Sequence, residues 1–222
     1  MKSNYTHISI VLDRSGSMSV VASDTIGGFN EFIKAQQKVP GDCTVTLVQF
    51  DTQAIETVFD ARKIADAPLL TSETYMPRGG TPLYDAVGQT IVTTGEFLKR
   101  KPEGERPAKV IFVILTDGLE NSSREYDRAK VFEMVRHQRE AYQWEFVFIG
   151  ANQDALAAGE AMNIARGSSI QYAQNKRGTS ALYAAFSENV AKVRRGTAAG
   201  MSWTEGQRAE QDAAGAPLVK PK

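Results

Sequence analysis

Residues 8–18 read ISIVLDRSGSM, Ile8 to Met18. Ile8–Leu12 has the composition of a buried strand. It runs straight into Asp13, Arg14, Ser15, Gly16 and Ser17. A carboxylate and two hydroxyls at the mouth of an apolar strand need compensation, because burying an unpaired polar or charged group costs several kcal/mol, on the order of 2–7 for a polar one. A catalytic partner, a helix cap and a metal ion are the three candidates.

Working outward, three further apolar runs stand out: Cys43–Phe50, Val110–Leu115 (VIFVIL) and Phe146–Ile149. Runs without alternation indicate strands covered on both faces, as in a parallel sheet. Segments of helical period lie between them. Ile26, Phe29 and Ile33 mark the first, with Ser23 and Asp24 as caps. Leu83, Val87, Ile91 and Leu98 mark the second, and Val131, Met134, Val135 and Gln138 the third. Further helical segments follow the fourth run, in ANQDALAAGEAM and along Leu182, Phe186, Val190 and Val193. Alternating strands and helices define an α/β fold with right-handed crossovers and helices on both faces. CTVTLVQF is followed after DTQ by AIETVF, a link short enough only for an antiparallel hairpin. The expectation is a doubly wound, Rossmann-like sheet of about six strands, with one antiparallel strand at its edge and a short strand near Ser169–Tyr172. Residues 1–196 form the domain in this reading. Residues 197–222, rich in Gly, Ala and charge, read as a flexible tail, with Trp203 as a docking point only if the tail does not fray.

Composition narrows the function classes. Lys plus Arg and Asp plus Glu number 26 each, so the chain carries no net charge to attract nucleic acid or an anionic membrane. Lys99-Arg100-Lys101 reads as a solvated helix end. The single cysteine, Cys43, excludes an internal disulfide. MKSNYTH leads into a strand rather than a signal peptide, and no run approaches the ~20 apolar residues of a membrane span. The expectation is a cytoplasmic protein.

In open α/β sheets ligands collect where strands end and loops begin. The polar residues at those ends are Asp13, Ser15 and Ser17 after the first run, and Thr116, Asp117 and Gly118 after the third. Thr81 stands in RGGTPLYDA at the entrance to the second helix, with Pro82 at its first position. Gly150, Ala151 and Asn152 follow the fourth run. Of these, the carboxylates of Asp13 and Asp117 and the hydroxyls of Ser15, Ser17 and Thr81 converge without histidine or thiolate, a donor set suited to a hard cation such as Mg²⁺ or Mn²⁺. Each residue has a plainer role. Ser15 or Ser17 can cap a helix, Thr81-Pro82 is a cap and first turn, and Asp117-Gly118 is a turn dipeptide. Asp85, Glu120 and Asn152 are candidates for the rim. Asp51 reads as a hairpin-turn residue and Tyr84 as packing. His7, at a strand start, and His137, on a helix, are not placed as bases.

DRSGS, the threonine of GGTPL and the aspartate of LTDGLEN, in that order at the ends of these elements, resemble the von Willebrand factor A (VWA) domain and its metal-ion-dependent adhesion site (MIDAS). The resemblance extends over roughly Tyr5 to Gly196. It implies Ser15 and Ser17 as direct ligands, Thr81 as a direct or water-bridged one, and Asp13 and Asp117 acting through waters. It implies Mg²⁺, with Mn²⁺ or Ca²⁺ as alternatives, and a partner protein whose Asp or Glu completes the metal's shell. Adhesion outside the cell is the family's best-known use. Stand-alone bacterial and phage-related members act with other proteins, frequently AAA-type ATPases. The expected function is therefore a cation-dependent protein-binding module and not an enzyme. A Mg²⁺-dependent phosphoryl-transfer or hydrolytic enzyme is the alternative, but neither a P-loop nor a G-x-S-x-G elbow is in the sequence to support it. A nucleic-acid-binding role is the third and least supported reading.

Overall fold

A computed structural model describes residues 1–151 and 154–217. In chain order these form β1 (Lys2–Asp13), α1 (Ala22–Gln37), β2 (Asp42–Phe50), β3 (Ile55–Lys63), α2 (Leu83–Lys99) and β4 (Pro107–Thr116). α3 (Arg128–Tyr142), β5 (Glu145–Gly150), α4 (Ala155–Glu160), β6 (Ser169–Gln171), α5 (Lys176–Arg195) and α6 (Glu205–Ala213) follow. The sheet order is β3-β2-β1-β4-β5-β6. β3 lies antiparallel to β2 at the edge, and the other pairings are parallel. The doubly wound architecture, the edge hairpin and the short sixth strand are as the sequence pattern requires.

The apolar run of β4 shows why the pattern does not alternate. Ile111, Val113 and Leu115 join a core with Phe29, Phe32 and Ile33 of α1 and Leu182, Phe186 and Val190 of α5. Val110, Phe112 and Ile114 face the opposite way, onto Val87 and Ile91 of α2 and Val131 and Val135 of α3. Both faces are dry, so both parities are apolar. Phe32 stacks on Phe186 with ring centroids 4.6 Å apart. α1 and α5 cross so closely that a Cβ on Gly28 would meet the Tyr183 ring at 2.1 Å.

Polar groups buried in β1 are satisfied locally. His7 pairs with Thr44 Oγ1 through Nδ1 (2.9 Å) and with Ser9 Oγ through Nε2 (3.0 Å), and Ser9 reaches Thr94 of α2 (2.9 Å). Burial, with the Lys101 charge in the same sense, pushes the His7 imidazole down to about 3, so it is neutral at ordinary pH.

Two local expectations are corrected. Ser23 and Asp24 do not cap α1. A 3₁₀ segment, Gly16–Val21, precedes that helix, so both residues fall inside its first turn. Pro82 occupies the cap position of α2 rather than its first turn. Residues 197–217 of the segment expected to be a flexible tail also differ, and residues 218–222 lie outside the described residues. Met201 and Trp203 are buried, Trp203 Nε1 donates to the Ser168 carbonyl (3.2 Å), and α6 packs on α5. A capping box starts α6, with Thr204 and Gln207 each bonding the other's backbone amide. That pattern lies in the sequence at the right spacing, but the Gly- and Ala-rich composition around it obscures it. Among the described residues, no helix is long and apolar enough to cross a membrane.

β1 and β4 are neighbours, and their crossovers run to opposite sides of the sheet. Their carboxyl ends therefore open a crevice at the topological switch point, and that is where the polar strand ends meet.

Candidate metal site

Asp13 ends β1 with no exposed surface. Its Oδ1 accepts from the Ser15 amide (2.6 Å) and its Oδ2 from the Thr116 hydroxyl (2.5 Å). The chain then turns over Gly16, whose amide donates to the Gly79 carbonyl (3.0 Å). This brings the 75–81 loop against the first one. Tyr75 closes the floor, donating to the Asp13 carbonyl at 2.7 Å. Ser15 Oγ lies 3.1 Å from Ser17 Oγ, and Ser17 Oγ donates to Asp117 Oδ1 at 2.7 Å. The Thr81 hydroxyl abuts the β4 end, 2.8 Å from where a Cβ on Gly118 would sit. Asp13, Ser15, Ser17, Thr81 and Asp117 thus meet at one edge of the sheet.

Helix capping does not account for the Ser15 and Thr81 hydroxyls. Ser15 precedes the 3₁₀ segment but makes no side-chain capping bond. α2 has no side-chain cap from its own cap residue. Its first amides are met by the loop after β4: Glu120 Oε2 accepts from Tyr84 N (2.9 Å) and Ser123 Oγ from Asp85 N (3.0 Å). Asn121 Oδ1 accepts from Thr81 N (2.9 Å). Asp85 returns the contact, accepting from the amides of Arg124, Glu125 and Tyr126 at 2.7–2.9 Å. Asp85 and Glu120, candidates for the rim, are the residues that fasten this loop. Tyr84 packs at the edge of the core. Asn152 lies outside the described residues. Thr81 is buried, and among the described residues its hydroxyl makes no hydrogen bond.

The electrostatics point the same way. Burial pushes the Asp13 carboxyl up to about 6. The Thr116 and Ser15 hydrogen bonds oppose the shift and the Asp117 charge adds to it. Burial also raises Asp117, against the hydrogen bonds from Ser17 and Gln174. Among the described residues, neither carboxylate forms an ion pair. Arg14, next to Asp13, turns away. Its guanidinium is buried against Asp51 (2.8 Å), Glu56 (2.9 Å) and Gln49 Oε1 (3.1 Å). Among the described residues, no group of three or more His, Cys, Asp or Glu side chains forms a metal cluster. The donors here are two carboxylates and three hydroxyls, an all-oxygen set.

The sequence pattern places Thr116 and Arg14 at this edge without giving them a role, and does not point to Gln174 at all. Thr116 orients Asp13 and accepts from Gly118 N at 3.1 Å. Arg14 serves the neighbouring ion pair. Gln174 contacts Asp117 from the far side of the fold. Thr116 and Arg14 are adjacent to motif residues, so their position is legible in the sequence and their partners are not. Gln174 has no sequence signal.

Neither a family model nor a curated protein sequence matches the chain. Solved structures do match in fold. Proximal thread matrix protein 1 from the mussel byssus, in a form titled as having a zinc-occupied MIDAS motif, aligns with a TM-score of 0.57 at 15% identity over 87% of this chain. The pilus adhesin SpaC from Lactobacillus rhamnosus GG, in its open conformation, gives 0.62 at 14% over 87%. A von Willebrand factor type A protein from Catenulispora acidiphila gives 0.52 at 13% over 86%. The chain spans 47%, 30% and 43% of those proteins, so it matches one part of each. The fold is therefore that of the von Willebrand factor A domain. At these identities the likeness concerns architecture alone.

Proposed function

We propose that the chain is a divalent-cation-dependent protein-binding module. The observation that carries this reading is the pair Asp13 and Asp117: two buried carboxylates with no cationic partner among the described residues, beside hydroxyls with no capping duty. Ser15, Ser17 and Thr81 would supply neutral oxygens, and Asp13 and Asp117 the charge. Mg²⁺ fits this set, as do Mn²⁺ and Ca²⁺ with looser geometry. A bound cation supplies an electrophilic position open to an Asp or Glu of a partner protein. The zinc-occupied MIDAS of the mussel protein supports the reading by analogy of fold.

The surroundings suit a protein partner. Val20, Met76 and Leu119 are 75%, 54% and 65% exposed, and they stand on the 3₁₀ segment that carries Ser17 and on the two loops that carry Thr81 and Asp117. Exposed apolar residues flanking a charged centre favour an acidic residue presented between apolar neighbours. His7 lies buried among Ser9, Thr44 and Thr94, and His137 lies on α3 beside Tyr142. The hydrolytic alternative thus has no histidine base at Ser15 or Ser17.

The test is capture of a partner from native lysate in Mg²⁺, in EDTA, and with Ser15→Ala. A protein retained only by wild type in Mg²⁺, and eluted by EDTA, is expected. Retention unchanged in chelator would reject the mechanism.

A further inference from the structure

Gln174 touches the candidate metal site from elements that carry none of its motifs. It sits in the short link between β6 and α5. Its Nε2 donates to Asp117 Oδ2 at 2.5 Å and to the Ser17 carbonyl at 3.3 Å, joining the β4 loop to the β1 loop. Asp117 Oδ1 already accepts from Ser17. Gln174 therefore fixes the second oxygen and selects one orientation of the carboxylate.

The link is itself clamped. Gln211 of α6 is buried, accepts from Ala173 N through Oε1 and donates through Nε2 to the Gly178 carbonyl, both at 3.1 Å. These two bonds bracket Gln174 on either side. Asn175 adds a bond to the Ala214 carbonyl (2.8 Å) and caps α5 by accepting from Gly178 N (3.0 Å). The chain is folded so tightly here that a Cβ on Gly178 would stand 2.2 Å from the Ala173 carbonyl oxygen. A six-residue stretch with these constraints leaves the Gln174 side chain little choice of direction.

We propose that Gln174 is a positioning residue of the cation site and that α6, through Gln211, holds it there. The inference rests on the cation reading above. A hydrogen bond to a ligating carboxylate favours its ionised form and fixes its rotamer, and loss of such outer contacts typically weakens metal binding about 10–100-fold. Without Gln174, Asp117 Oδ2 loses this side-chain donor, and the remaining one, Ser17 on Oδ1, carries a hydroxyl that the cation would also claim.

The experiment titrates the metal-free chain with Mn²⁺ alone, by calorimetry, and follows thermal unfolding in EDTA on the same samples. Gln174→Ala is expected to weaken Mn²⁺ binding about tenfold or more, with the unfolding temperature in EDTA close to wild type. Gln211→Ala is expected to lower both stability and Mn²⁺ affinity. The double variant should bind Mn²⁺ no more weakly than Gln174→Ala, because Gln211 acts on the site through Gln174. Unchanged or tighter Mn²⁺ binding in Gln174→Ala overturns the proposal, and does so whether or not Gln211→Ala folds. Effects that simply add overturn the part assigned to α6. A wild-type chain that takes up no Mn²⁺ overturns the cation reading itself, and this inference with it.

Discussion

Asp13 and Asp51 stand at the ends of adjacent strands, Asp13 opposite Phe50 in the parallel ladder, and both are buried. Their environments answer them differently. Asp51 receives the Gln53 and Ala54 amides and the guanidiniums of Arg14 (2.8 Å) and Arg78 (3.0 Å). Burial works against its charge, yet the Gln53 amide, Arg78 and Arg14 together hold its carboxyl below the usual range. Asp13 receives an amide and a hydroxyl, faces a second carboxylate in Asp117, and is pushed up instead. The chain supplies its own cations to one carboxylate and none to the other. The difference marks Asp51 as structural, and under the proposed function it is what makes Asp13 a place for a cation from outside.

Breaking the compensated side should have the largest effect. Arg14→Ala takes from buried Asp51 the more buried of its two guanidiniums, leaving Arg78, and takes from the exposed Glu56 its ion partner. Removing one member of a buried ion pair costs about 3–5 kcal/mol, and urea denaturation should show a loss of that size, with or without divalent cation.

Asp13→Asn sharpens the other side. The folded carboxyl titrates at about 6 against an ordinary 3.8. Between those values the folded state holds the proton and the unfolded state has released it. Metal-free stability attributable to Asp13 therefore falls as pH rises through this window, by about 3 kcal/mol in full. His7 acts in the opposite sense. Its folded pKa of about 3 lies below the ordinary 6.5, so its contribution is complete above 6.5 and is lost as pH falls toward 3. The Asp13 term is read from wild type minus Asp13→Asn, by thermal unfolding in EDTA from pH 4 to 8. The variant should be the more stable near neutrality. It keeps an acceptor for Ser15 N, and its new donor can meet Thr116 Oγ1, whose hydroxyl also lies 3.1 Å from the Gly118 carbonyl. A metal-free wild type more stable than the variant at pH 8 would contradict the contrast.

Leu119→Ser should have the smallest effect. It leaves the site's oxygens in place, so Mn²⁺ affinity should match wild type by calorimetry while Mg²⁺-dependent partner capture weakens. A parallel loss of Mn²⁺ affinity would place Leu119 within the site instead of on its rim.

What the sequence made legible follows a physical line. β1, β4 and β5 are buried on both faces, so their composition announces them. The DTQ link is too short for anything but a hairpin. Asp13, Ser15 and Ser17 are close in sequence, and Thr81 and Asp117 sit at element ends that periodicity locates. The rest depends on pairings across the fold. Arg14 finds Asp51 only because β1 and β2 are neighbours, and Gln174 reaches Asp117 across 57 residues through a link clamped by α6. The 3₁₀ segment between Ser15 and α1 displaced the caps expected at Ser23 and Asp24. The capping box of α6 was readable at Thr204 and Gln207, but local composition argued against a folded segment. Only the burial of Met201 and Trp203 resolves that conflict.

The central claim is that Asp13 and Asp117 are held for a divalent cation. The direct measurement is calorimetric titration of the metal-free chain with Mg²⁺ and Mn²⁺, on wild type and on Ser17→Ala combined with Asp117→Asn. The account predicts saturable binding at a single site in wild type, a higher unfolding temperature in the loaded form, and loss of both in the double variant. Wild-type protein that shows neither saturable heat nor a stability gain with either ion would contradict it.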